Sequence, residues 1–178
     1  MGTGRRAIWI VGVLAALLAL GTCRFLMRER PMVQPAEQRR DLAAVAFVDL
    51  DGRPATLAEA RGRVVLLHLW NTGIGHRLRT LEELADLQRH PDDAFLALPV
   101  VLDPKGRESL AAFLKDHPGL ALRSALPVHL ETFATPFGGP VYLPTSFVVD
   151  RHGRLREQIG PRSSRSLRDA LREALQER

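Results

Sequence analysis

Residues 64–84 read VVLLHLWNTGIGHRLRTLEEL, and three patterns follow one another in this stretch. Val64 to Trp70 is a continuous apolar run that begins with β-branched residues, which predicts a strand buried on both faces of a sheet. Glycines interrupt the middle, and from Leu78 the leucines recur at helical spacing, which predicts an amphipathic helix to about His90. The stretch is therefore a strand–turn–helix unit, and in α/β proteins ligands often bind where such strands end.

Strands and helices alternate along the rest of the chain. Further strands are predicted at 95–102, 146–149 and 154–159, further helices at 107–116 and from about 167 onward, and a hairpin over 47–57 around Asp51-Gly52. The segment 120–137 fits either a short strand or a broken helix. Helices between core strands require right-handed parallel crossovers, whereas the late hairpin adds antiparallel pairing. We therefore expect an α/β fold with a mixed sheet and helices on both faces.

The N-terminal segment has the pattern of a targeting or membrane signal. Arg5 and Arg6 precede an apolar run over residues 7–22, which Cys23 follows. Three interpretations stay open: an uncleaved signal anchor or transmembrane helix over 1–30, a cleaved secretory signal, and a lipoprotein signal with Cys23 as the candidate lipidation site. A short charged region before the first apolar segment favours a C-terminal domain outside the cytoplasmic membrane.

Composition separates this segment from the rest of the chain. The formal net charge is +5, and residues 1–40 account for all of it, with seven arginines against two glutamates. Residues 41–178 have equal numbers of basic and acidic side chains, so no basic excess indicates a nucleic-acid partner. Residues 31–41 contain two prolines and no apolar periodicity, which predicts an extended linker. One domain is expected over 42–178.

Three separated segments resemble a known family. VDLDGRPATLAEARGRVVLLHLWNT at 48–72, LEEL at 81–84 and YLPTSFVVDRHGRL at 142–155 are similar to the membrane-anchored thioredoxin-like proteins of the TlpA and ResA group. The resemblance spans about residues 45–178 and implies a thioredoxin-like fold on an N-terminal anchor. It also implies a cis peptide bond before Pro144, where the backbone of the preceding residue can pair with an extended peptide.

The redox motif of that family is absent. In the family a Cys-x-x-Cys motif opens the first helix after the strand, and Ile74-Gly75-His76-Arg77 stands at the matching positions here. Thiol–disulfide exchange needs a thiolate, and Cys23 is the only cysteine in the sequence. We therefore predict a binding or assembly module without catalytic residues. The alternative is an enzyme of this family that uses a non-cysteine site around His76 and Arg77.

The predicted binding site combines the turn after the first core strand with the proline loop. Its candidate residues for contact with a protein or extended peptide are Trp70, Ile74, His76, Arg77, Leu143, Pro144 and Thr145. The six histidines are scattered, none at metal-binding spacing, and His68 is interpreted as a core residue with a hydrogen-bond partner. No cofactor or metal is expected. Thr80-x-x-Glu83 is a capping-box pattern that offers a later start for the helix.

Overall fold

The computed structural model describes residues 32–73 and 78–177. Its strands are β1 (Met32–Val33), β2 (Ala46–Val48), β3 (Pro54–Thr56), β4 (Val64–Trp70), β5 (Phe95–Val101), β6 (Leu126–Pro127), β7 (Thr145–Val149) and β8 (Leu155–Ile159). Its α-helices are α1 (Leu78–Arg89), α2 (Arg107–Asp116) and α3 (Leu167–Gln176). Short 3-10 helices lie at Ala36–Gln38, Leu57–Ala60 and Thr135–Phe137. The strands and helices predicted from periodicity are present within one or two residues of their expected bounds.

The strands form two sheets. The larger sheet has the order β1-β8-β7-β4-β5, and the smaller has the order β3-β2-β6. Strand β4 pairs parallel with β5 and antiparallel with β7, so the expected mixed sheet is confirmed. Glycines at positive φ allow both predicted hairpin turns, Gly52 between β2 and β3 (φ 83°) and Gly153 between β7 and β8 (φ 82°).

Strand β4 is buried on both faces because its alternate side chains enter two separate hydrophobic clusters. Val64, Leu66 and Trp70 pack in the first cluster, and Val65, Leu67 and Leu69 pack in the second. The first cluster contains the buried side chains of all three described α-helices. Among the described residues, the second cluster contains none from an α-helix. The expectation of helices on both faces is thus revised for the second face.

The second face is covered by short and irregular elements. Leu57 and Ala60 of one 3-10 helix and Phe137 of another belong to the second cluster. For segment 120–137 the sequence fits either a short strand or a broken helix, and the structure has a short form of each. Strand β6 is two residues long, and the 3-10 helix at 135–137 has three residues. Pro127 and Pro136 lack the N–H that a longer strand or an α-helix interior needs, which explains these lengths.

Residues 32–41 do not form the extended linker that their composition predicted. Strand β1 pairs antiparallel with β8, and the Arg39 guanidinium, 8% exposed, bonds the carboxylates of Asp150 at 3.1 Å and Glu177 at 2.9 Å. Two prolines and the lack of apolar periodicity favour an extended linker, but backbone pairing with β8 and the ion pairs of Arg39 hold this segment on the domain. The predicted boundary between anchor and linker at residues 30 and 31 lies outside the described residues and stays a prediction.

The predicted N-terminal anchor and Cys23 also lie outside the described residues. In residues 32–73 and 78–177, no helix has both the length and the apolar character to cross a membrane.

Candidate functional site

The turn after β4 lies where the resemblance expects the functional site. Trp70 ends the strand, and the backbone N–H of Thr72 donates to Asp103 Oδ2 at 2.8 Å, which ties the turn to the segment that follows β5. Helix α1 already begins at Leu78, so the later start that the capping-box pattern at Thr80 offered does not occur. Ile74, His76 and Arg77 lie outside the described residues, and their predicted contacts remain predictions.

The Trp70 side chain is part of the hydrophobic core. The residue is 1% exposed, its ring meets Phe113 edge-on at a centroid distance of 5.1 Å, and its Nε1–H donates to Ser124 Oγ at 3.2 Å. A buried indole satisfies its N–H in this way. The structure therefore exposes little of the Trp70 side chain to a bound peptide, and the predicted contact stays a prediction.

The proline loop has the predicted backbone geometry. The Leu143–Pro144 peptide bond is cis, as the resemblance implies. The register of β7 with β4 pairs Thr145 with Leu69, so this loop lies beside the end of β4. Leu143 is partly buried, and no described residue hydrogen-bonds its backbone N–H or C=O. Among the described residues, both backbone hydrogen-bonding groups of Leu143 are thus unpaired.

Side chains around the proline loop differ in their exposure to solvent. Pro144 is buried, and Thr145 is 1% exposed with its hydroxyl donating to the carbonyl of Tyr142. Direct side-chain contact by Pro144 and Thr145 is therefore not supported. Tyr142 is 82% exposed and is the most exposed large apolar residue described, yet the sequence prediction did not include it. The sequence signal that could have identified Tyr142 is its position as an aromatic residue directly before the Leu143-Pro144 pair.

A buried polar pair lies beneath the turn. His68, two residues before Trp70 on β4, is 3% exposed, and its Nδ1 lies 2.8 Å from Ser146 Oγ on β7. Burial lowers the pKa of His68 from 6.5 to about 3, because the protein interior disfavours the charged ring. His68 is therefore neutral at physiological pH, as expected for a core histidine, and supplies no positive charge to the site.

A shallow cleft of about 350 Å³ opens beside the turn. Its lining includes Thr72, Lys105, Glu108, Phe113 and Asp116. Lys105 Nζ lies 3.5 Å from Glu108 Oε1, an exposed pair that contributes little to stability. Within the part of the chain that the structure describes, no three His, Cys, Asp or Glu side chains converge as a metal site.

The fold compares closely with solved structures. A secreted thiol-disulfide isomerase from Corynebacterium glutamicum matches at a TM-score of 0.63 and 21% identity, over 82% of this chain and 89% of that one. The chain has a thioredoxin-like fold. A DsbF homologue from Corynebacterium diphtheriae has the same fold, at a TM-score of 0.59 and 18% identity over 80% of this chain and 89% of that one. The exposed lipoprotein thioredoxin of Streptococcus pneumoniae also matches, at a TM-score of 0.56 and 23% identity over 73% of this chain and 96% of that one.

Sequence comparison adds less about this thioredoxin-like chain. No family model matches it. An uncharacterized protein of Haemophilus influenzae is 31% identical over 85 residues, which are 47% of this chain and 54% of that protein. The chain thus spans about half the length of this curated relative. Structural neighbours of the thioredoxin-like domain are thiol-disulfide oxidoreductases, whereas residues 74–77 of this chain read Ile-Gly-His-Arg.

Proposed function

We propose that this protein is a thioredoxin-like binding module that does not exchange disulfides. The observation that supports this function is the sequence at the redox position, where Ile74-Gly75-His76-Arg77 follows the turn after β4 and contains no sulfur. Exchange proceeds by attack of a thiolate on a disulfide sulfur, and neither imidazole nor guanidinium replaces that nucleophile. Cys23, the one cysteine of the sequence, precedes the whole thioredoxin-like domain.

The binding surface of this proposal is the proline loop. The backbone of Leu143 has no hydrogen-bond partner among the described residues, and the Tyr142 ring beside it is exposed. An extended peptide that pairs with the backbone of Leu143 would pass next to Tyr142, because Tyr142 directly precedes Leu143 in the chain. Arg77 and His76, which follow the turn in sequence, favour an acidic segment in that peptide.

The proposed location is the outer side of the cytoplasmic membrane. Support comes from the apolar run at 7–22 with its flanking arginines, and from neighbours that are named as secreted or exposed proteins. An anchor over residues 1–30 would keep the binding surface near the membrane, so partners that are themselves membrane-attached would meet it at high effective concentration.

Photo-crosslinking at position 142 tests the binding surface. Replacing Tyr142 with the photoreactive residue benzoylphenylalanine keeps an exposed aromatic ring at the site, so the fold should be unchanged. Irradiation of cells that express the full chain is expected to yield a discrete protein adduct. Adding Arg77→Glu should reduce the yield of that adduct several-fold, since the substitution reverses the charge offered to an acidic segment.

Val128 provides the matched control for this experiment. It is also an exposed apolar residue, 41% accessible, but it follows β6 rather than the proline loop. The same photoreactive group at Val128 should not produce the adduct. Equal adducts from both positions, or none from position 142, would place the binding surface elsewhere on the domain.

A further inference from the structure

Residues 32–41, which we call the strap, begin as the edge strand of the larger sheet. The N–H of Gln34 donates to the Arg156 carbonyl at 2.7 Å, and the N–H of Leu155 donates to the Arg40 carbonyl at 2.8 Å. Neither hydrophobic cluster includes a described side chain of the strap. Backbone pairing and polar side-chain contacts therefore hold the strap on the domain.

The apolar core begins directly after the strap. Leu42 is 1% exposed and packs in the second cluster, and its N–H donates to the Gly153 carbonyl at 2.8 Å. Burial of apolar side chains is the main favourable term in folding, so a core residue leaves its place only when the domain unfolds. A segment with few buried apolar contacts opens locally at a much smaller free-energy cost. Leu42 thus marks the boundary between the domain and a strap that can open by itself.

Arg39 fastens the strap to two carboxylates of the domain. Its guanidinium is 8% exposed and donates from Nη1 to Asp150 Oδ2 at 3.1 Å and from Nη2 to Glu177 Oε2 at 2.9 Å. Its Nε–H donates to the carbonyl of Gln34, which also belongs to the strap, at 3.0 Å. One side chain therefore joins the two ends of the strap to each other and to the domain.

Both carboxylates have other partners within the domain. Oε1 of Glu177 accepts from Arg156 Nε at 2.9 Å. Oδ1 of Asp150 accepts from the backbone N–H groups of His152 and Arg154, each at 2.9 Å. Breaking a buried ion pair is costly mainly because one charge stays buried without a partner. Loss of the strap leaves neither carboxylate in that state and moves the strap guanidinium into water, so the contact can open at moderate cost.

We propose that the strap detaches from the domain as a unit, with Leu42 as the hinge, while the domain from Leu42 onward keeps its fold. Arg39 sets the fraction of molecules with the strap attached, because it makes the buried contacts that detachment breaks. Detachment frees ten residues, which span up to about 33–36 Å when extended. With an anchor over residues 1–30, the domain then reaches partners farther from the membrane. This gain in reach rests on the proposed location, whereas detachment itself does not.

Hydrogen exchange of the detergent-solubilised full chain, measured across a urea series below the unfolding transition, tests detachment. The reporters are the N–H groups of Gln34 and Leu155, which bond across the contact between strap and domain. Amides of β4 are the reference, because this strand is buried on both faces. We expect the reporters to exchange at least about a hundredfold faster than β4, at rates that hardly change with urea, because local opening exposes little surface.

Substitutions of Arg39 supply the second measurement. Arg39→Gln should raise the exchange rates of both reporters by about tenfold or more, and Arg39→Lys by less, because lysine keeps the charge but not the planar fork. The gap between the reporters and β4 should persist in both variants. Arg172→Gln is the matched control, since it breaks an exposed ion pair with Asp169 on α3 and should leave the reporters unchanged.

Three outcomes overturn the proposal. Reporters that share the urea dependence of β4 would make the strap an integral part of the folded domain. Unchanged reporter rates in Arg39→Gln would show that Arg39 does not control detachment, and a closed gap between reporters and β4 in that variant would show that strap and domain open together. None of these results depends on the adduct expected from position 142, so failure here is distinct from failure of the binding proposal.

Discussion

Acidification from pH 6.5 to pH 3 is expected to lower the free energy of unfolding by about 4–5 kcal/mol through His68 alone. Burial lowers the pKa of this ring to about 3 in the folded state, whereas the unfolded chain takes up a proton near the ordinary value of 6.5. Between those values the unfolded state binds one more proton than the folded state. Stability is therefore complete above pH 6.5 and falls as the pH drops towards 3.

The effect of His68 can be separated from that of the carboxylates by pH range. Hydrogen bonds lower the pKa of Asp86 and Glu173 from ordinary values of 3.8 and 4.5, so their contributions begin to be lost only as the pH falls through those ordinary values and are complete above pH 5. Urea unfolding measured between pH 6.5 and 5 should show a His68 contribution that steepens from about 0.7 kcal/mol per pH unit at pH 6.5 towards about 1.4 kcal/mol per pH unit at pH 5, as the unfolded ring becomes fully protonated.

A double variant isolates this contribution. His68→Leu with Ser146→Ala removes the titrating ring and its hydroxyl partner together, so that no buried polar atom loses its hydrogen bond. The slope of the unfolding free energy against pH should then differ between the parent and the double variant by an amount that corresponds to close to one bound proton near pH 5. An identical slope in both proteins would show that His68 is accessible to protons in the folded state and is not a sealed core residue.

Replacing Glu157 with glutamine is expected to cost about 3–5 kcal/mol of stability at pH 7. The side chain is 0% exposed and lies between two cations, with Arg156 Nη1 at 2.9 Å and Arg165 Nε at 2.5 Å. Arg156 is itself 5% exposed. Removing the carboxylate charge takes away the one fully buried anion that the described residues place beside these two guanidinium groups. Arg156 then keeps only the 38% exposed Glu177, and Arg165 only the 50% exposed Glu173, among the described residues, and desolvated charge is costly when it is poorly paired.

Glu173 supplies the matched control for this ion pair. It also bonds Arg165, but its side chain is 50% exposed, so water can replace the lost partner in Glu173→Gln. The expected cost there is below about 1 kcal/mol. Urea unfolding of the three proteins measures both values. Equal, small losses from both substitutions would mean that burial does not decide the strength of this network.

Most of the fold follows from the sequence because its elements are strongly periodic. The apolar run 64–70 and the leucine spacing from Leu78 predict a strand and a helix, and both lie where these patterns place them. The cis bond before Pro144 came from the family resemblance rather than from the residues. The composition of segment 32–41 does not predict its place on the domain, because the ion pairs of Arg39 with distant carboxylates leave no local sequence pattern.

The site was less predictable than the fold. A strand pattern shows that Trp70 is apolar and alternates with its neighbours, but not that Phe113 and Ser124 enclose its ring. The exposure of Tyr142 likewise depends on the path of the loop 138–144, which the sequence pattern does not predict.

Insulin disulfide reduction by the purified full chain, with dithiothreitol as the electron source, tests the central claim most directly. The chain has no cysteine within its thioredoxin-like domain, so we expect insulin to precipitate at the rate of the buffer control. A bacterial thioredoxin serves as the positive control, and Cys23→Ser excludes a contribution from the N-terminal thiol. Turnover above the buffer rate by the Cys23→Ser protein, in a preparation free of other thioredoxins, would contradict a non-redox binding module.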